Sequence, residues 1–306
     1  MSFRPDQFLS FKESKQFTNP QFLEDKTEED LSNLFLEILH GGVHGFCFSL
    51  YQDGQKPGDI ISEGQIRKRI EILKPHTQWI RSFSCIEGNE LIPKVAKEMG
   101  LKTLVGAWLG KDEEKNLQEI ENLIRLSGEG LVDIAAVGNE VLYRDDLTEA
   151  ELMYFIQHVK NEIPGIPVGY VDAYYEFVQR PHIAELCDVI LSNCYPFWEG
   201  TDFNNSLQHM QQMFHQAKQA AKGKPVIITE TGWPSHGESL GGAVPSQKAA
   251  MKYFINTHLW AMDENIEVFY FSSFDEAWKV GVEGDVGAYW GIWDKNQKLK
   301  FGHEHV

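Results

Sequence analysis

The chain has 306 residues, 42% of them hydrophobic and 24% charged, with a formal net charge of −17. That length supports a full hydrophobic core, and so strong a negative charge excludes phosphate backbones and anionic lipid as natural partners. No run of about 18 apolar residues occurs, which excludes a membrane-spanning helix.

The first residues, Met1-Ser2-Phe3-Arg4-Pro5-Asp6, lack the basic-then-apolar order of a leader. That predicts a cytoplasmic chain, or a periplasmic or secreted one if a leader has been removed. Residues 1–40 are expected to form an N-terminal extension and 41–306 a single barrel domain. Within the extension, 27–40 reads as a helix, opened by Thr27 with Asp30 three residues on, close to a capping box.

From residue 43 onward, short apolar runs alternate with amphipathic segments. The runs at 43–50, 79–85, 102–109, 132–138, 167–173, 188–194, 225–230 and 266–274 read as strands buried on both faces. Between them, 63–74, 113–127, 147–161 and 245–262 repeat apolar residues at helical spacing. Asp112 is a candidate N-cap, and Pro245 suits a first helical turn. Eight such units predict an α/β fold closed as a (β/α)8 TIM barrel. The alternative, an open doubly wound sheet, usually carries a glycine-rich nucleotide turn; neither Gly-x-Gly-x-x-Gly nor a P-loop occurs. Cys47, Cys85, Cys187 and Cys194 lie in or beside these runs without a Cys-x-x-Cys pair, as expected of buried reduced thiols.

Barrels of this kind carry their chemistry at the C-terminal ends of the strands. The fourth run ends Val137-Gly138-Asn139-Glu140 and the seventh ends Thr229-Glu230-Thr231-Gly232-Trp233-Pro234-Ser235. A glutamate at a strand end can be half of an ion pair. Two of them across one barrel mouth, with an asparagine beside the first, form the pair that glycoside hydrolysis needs: one carboxylic acid to protonate the leaving oxygen, one carboxylate to attack the anomeric carbon.

These segments resemble glycoside hydrolase family 17, the β-1,3-glucanase and lichenase family of clan A. A third match is Phe274-Asp275-Glu276-Ala277-Trp278-Lys279, followed by Gly291-Ile292-Trp293. The resemblance covers roughly 43–300 and is nearest in form to the compact bacterial members. It implies a retaining glycosidase of β-1,3-glucan or its oligosaccharides, with Glu140 as acid/base and Glu230 as nucleophile. It further implies that Asn139 bonds the sugar 2-hydroxyl, that Tyr195 and Arg81 hold the nucleophile, and that Glu276 and Lys279 form a charged cluster near the acid/base. Arg81, a charge inside a strand, is open also to a purely structural ion pair. Phe48 stands where plant members have tyrosine, and the loop 51–59 differs from theirs, so the departures fall on sugar subsites.

Eight tryptophans is a high count. Trp108, Trp198, Trp233, Trp278, Trp290 and Trp293 fall at or just after strand ends, where flat rings can stack on sugar faces or plug the barrel. Trp198, Trp278 and Trp290 are the foremost sugar-platform candidates. No cofactor is called for. His303 and His305 form a His-x-His pair in a terminal tail, which makes a poor metal site, and none is expected. Asn204-Asn205-Ser206 matches a glycosylation sequon. Transglycosylation at the same two glutamates is the alternative activity; a non-catalytic glycan-binding barrel would be expected to lack one carboxylate.

Overall fold

A computed structural model describes residues 25–302 together with Leu23; His303, His305 and most of 1–26 lie outside the described residues. Eight parallel strands close into a barrel in chain order: β1 (Val43–Cys47), β2 (Thr77–Ser82), β3 (Lys102–Ala107), β4 (Ile134–Asn139), β5 (Val168–Ala173), β6 (Val189–Asn193), β7 (Val226–Thr231) and β8 (Val268–Tyr270). β4 and β6 are buried along their whole length, which is why their sequences run apolar instead of alternating.

The helices are α1 (Glu28–Gly41), α2 (Glu63–Leu73), α3 (Leu91–Glu98), α4 (Glu113–Gly128), α5 (Glu149–Glu162), α6 (Tyr174–Gln179), α7 (Pro181–Leu186), α8 (Phe203–Ala220), α9 (Gln247–Glu264) and α10 (Val280–Glu283). Side chains at their starts satisfy orphan backbone N–H groups. Thr27 and Thr148 make capping boxes with Asp30 and Glu151. Ser62, Asp112, Asp202 and Ser246 cap α2, α4, α8 and α9. Ser246 rather than Pro245 therefore opens α9, because its hydroxyl reaches the Ala249 amide; the proline sits one residue outside. Asn204 of the sequon lies in the first turn of α8.

α1 packs on α9. Phe35 is enclosed there, with Phe254 at 4.9 Å and Phe301 at 5.5 Å between ring centroids. Phe35→Ala would cost roughly 3–5 kcal/mol, as buried aromatic truncations do.

β8 is shorter than the apolar run 266–274. Beyond Tyr270 the chain leaves the ladder with β7 and bonds to the later segment 290–293: the Ser272 amide donates to the Trp290 carbonyl and that of Ile292 to the Ser272 carbonyl. This pairing brings the segment 272–293 over the mouth beside β1 and β7, and so over the site.

Candidate active site

Each glutamate is set by the turn that carries it. Gly138 adopts φ +84°, and a Cβ there would come within 2.7 Å of Val141. Glu140 itself has φ +51°, a left-handed conformation that costs a non-glycine residue about 1–3 kcal/mol. Its amide donates to the Val171 carbonyl at 2.7 Å. Arg144 donates to the carbonyls of Asn139 and, at 2.7 Å, Leu109, which ties the end of β4 to that of β3.

Glu230, 2% exposed, accepts from Arg81 Nη1 at 2.8 Å on one oxygen and from the Tyr195 hydroxyl at 2.9 Å on the other. Arg81 Nη2 also donates to Asn139 Oδ1 at 2.6 Å. A buried carboxylate stays charged only when paired and hydrogen-bonded, and both conditions are met. Burial and Glu230 together push the Tyr195 phenol well above its usual range, so it remains a donor. Asn139, with its oxygen engaged by Arg81, keeps its amide nitrogen as the end that can donate to a ligand.

Glu140 has no cation bonded to it among the described residues. Asn193 Nδ2 donates to its Oε1 at 2.9 Å. Thr229 in turn donates to Asn193 Oδ1 at 2.9 Å, which turns the amide so that its NH2 faces the carboxyl. Burial, then the charge of Glu230, push the Glu140 carboxyl up to about 7; the Asn193 bond and Arg144 oppose them. The mouth thus holds a paired carboxylate and a carboxyl that keeps its proton near neutrality, which is the division general acid and nucleophile chemistry requires.

The BtgE/BtgC glycoside hydrolase domain matches residues 45–291. The chain belongs to this glycoside hydrolase family. It is 30% identical over 258 residues to glucan 1,3-beta-glucosidase BGL2 of Candida albicans, covering 76% of this chain and 83% of that one. The structure of a family 17 beta-1,3-glucanosyltransferase from Rhizomucor miehei superposes with a TM-score of 0.76 at 27% identity, covering 87% of this chain and 98% of that one. An endo-laminarinase from Formosa shares the fold at 17% identity, with a TM-score of 0.75 over 86% of each chain. The resemblance read from the motifs therefore holds, although two of these three relatives are fungal where the motifs suggested a bacterial type.

Within this family member, a cavity of ≈ 130 Å³ opens on the Glu140 side. Tyr143, Tyr174, Tyr175 and Trp198 wall it, with Asn193 and Tyr195 at its edge. Trp198 is therefore placed to meet a ligand. Trp278 is half-buried, edge-on to Tyr51 at 5.8 Å. Trp290 is buried beneath the site, packed on Tyr195 at 5.6 Å and Phe197 at 5.5 Å; it supports the floor rather than offering an open face. Trp233 is enclosed by Phe197, Phe203 and Tyr253, and its indole N–H donates to the Val244 carbonyl at 3.1 Å. Trp293 is likewise core, against Phe46 and Phe274. Trp108 stays 40% exposed under Arg144.

Glu276 and Lys279 pair at 2.8 Å, and the Tyr51 amide bonds the other Glu276 oxygen at 3.0 Å. Burial works against the Lys279 ammonium, but Glu276 and Glu283 outweigh it and hold it up. The field of Lys279 falls on Glu230 and Cys47, so the cluster stands on the Glu230 side instead of beside Glu140. Asn193, Arg144 and the tyrosines of the cavity carried no role in the sequence reading. Asn193, ending β6 two residues before Tyr195, was open to the same strand-end argument; the others depend on contacts between distant strands.

Proposed function

We propose that the chain is a retaining hydrolase of β-1,3-glucan acting by double displacement. The observation that carries this is the opposite setting of two equally buried glutamates. Glu230, held by Arg81 and Tyr195, attacks the anomeric carbon while Glu140 gives its proton to the glycosidic oxygen and the C–O bond breaks. The resulting glycosyl ester on Glu230 is released by a water whose proton passes to Glu140. The Asn139 amide donates to the sugar hydroxyl beside the reacting carbon, a bond that strengthens as charge develops. The β-1,3 linkage is favoured by the names of the relatives, a glucan 1,3-beta-glucosidase and a glucanosyltransferase seen with laminaritriose. A neutral glucan suits a chain of net charge −17. Four buried cysteines, all unpaired, fit a reducing compartment such as the cytoplasm.

Transfer to a second sugar is the companion reading. The aromatic-walled cavity touches Glu140, the group that handles the leaving and entering oxygen, and a sugar held there competes with water.

The test is laminarin and reduced laminari-oligosaccharides, with products followed by mass and by anomer-resolved NMR. Shorter oligosaccharides born as β-anomers, and none from Glu230→Ala or Glu140→Gln, are expected; longer products would reveal transfer, reduced in Trp198→Ala. No turnover of any β-glucan by the wild type would overturn the reading.

A further inference from the structure

Glu140 is held by main chain on both sides, and the β5 side contains a device that the chemistry above does not use. The Leu142 amide, two residues past Glu140, donates to the hydroxyl of Tyr170 at 3.0 Å. That hydroxyl donates to Asp172 Oδ2. The other Asp172 oxygen accepts from the Ala173 amide at 2.7 Å. Tyr170 and Asp172 are both fully buried, and the Tyr170 ring also lies 3.4 Å from where a Cβ on Gly138 would sit. One strand therefore fixes the turn at three points: the Val171 carbonyl on the Glu140 amide, the Tyr170 hydroxyl on the Leu142 amide, and the Tyr170 ring against Gly138.

Burying a carboxyl needs a reason. Asp172 touches no cation among its printed partners, and Glu176 and Glu140 crowd it electrostatically, so burial and these neighbours push it well up. Such a group contributes little to stability by pairing. What it does is orient one hydroxyl, and that hydroxyl holds the turn in which Glu140 takes its unfavourable φ of +51°.

We propose that Tyr170 and Asp172 are positioning residues for the acid/base, working through the Leu142 amide to keep the Glu140 carboxyl on the glycosidic oxygen. This rests on the hydrolase reading above. A proton donor displaced by about 1 Å can cost on the order of 100-fold in rate, but only where the leaving group needs a proton.

The experiment uses that condition. In the full-length protein, Tyr170→Phe removes the hydroxyl and Asp172→Asn keeps the shape while weakening its orientation. kcat/KM, which reports the chemistry up to departure of the leaving group, is measured on laminari-oligosaccharides and on a 2,4-dinitrophenyl β-glucoside of the same donor chain, whose phenolate leaves without protonation. We expect losses of about 10–100-fold on the oligosaccharides and changes within about twofold on the dinitrophenyl substrate, with Asp172→Asn the milder variant. Equal losses on both substrates would mean a merely structural role. No loss on either would mean that Glu140 needs no such support. Both results overturn the proposal while leaving the hydrolase reading intact, whereas a wild type inactive on both substrates overturns the two together.

Discussion

Glu230 and Glu140 are the same side chain at the ends of two strands of one barrel, 2% and 6% exposed, yet their surroundings favour opposite charge states. Around Glu230 a guanidinium and a phenol take up both oxygens. Around Glu140 there is a neutral amide, a nearby negative charge and no bonded cation. Burial alone would raise both. The difference lies in what the neighbouring strands supply: β2 sends Arg81 across to β7, whereas β6 sends only Asn193 to β4.

Removing Arg81 should break the contrast most completely. Arg81→Met leaves the Glu230 carboxylate buried without its cation and Asn139 without its donor. We expect a loss of about 3–5 kcal/mol in stability, the usual penalty for breaking a buried pair, measured by denaturant unfolding. Activity on laminari-oligosaccharides should fall by about 10²–10³-fold. Retention of both would show that the pair is incidental.

How far this contrast could be read from sequence is instructive. The barrel was legible because its strands are buried on both faces and so wrote uninterrupted apolar runs. The glutamates were legible because each ends such a run inside a local motif. What failed was anything decided by direction or by partners far along the chain. Trp198, Trp233 and Trp290 all follow strands, but which way a ring faces depends on Phe197 and Tyr195 packing around it. The Glu276–Lys279 pair was expected near Glu140, but the segment after β8 bonds along 290–293 and carries it toward Glu230. The run 266–274 was too long for the same reason, since pairing partners change midway.

The rule that burial without a counter-charge selects the neutral form can be tested at the opposite end of the barrel. His258 of α9 and His44 of β1 line a cavity there, and burial pushes each down to about 4. His258 Nδ1 bonds the Phe254 carbonyl at 2.8 Å; its Nε2 is buried with no partner. The folded protein therefore binds fewer protons than the unfolded chain between about 6.5 and about 4. Stability present above pH 6.5 should be lost as the pH falls through that window, by up to about 3 kcal/mol for His258. The wild type should lose this stability relative to His258→Gln, in which other titrations cancel. Parallel pH-stability curves would refute the assignment.

The finest test separates the two causes acting on Glu140. Burial is the larger and the charge of Glu230 the second. Glu230→Gln removes the charge and leaves the burial, so the Glu140 carboxyl should fall from about 7 by about one unit and stop above the ordinary carboxylate range. Carbon NMR of the labelled carboxyl, titrated in both proteins, reads this directly. A fall all the way to the ordinary value would make the nucleophile's charge the whole cause, and the acid would then lose its proton as soon as the glycosyl ester forms. No fall would make burial the whole cause, and the acid would keep its proton even when it must act as a base toward water. Only an intermediate fall lets one carboxyl serve both half-reactions, because formation of the ester itself then lowers the proton affinity of Glu140 at the step where it must accept a proton.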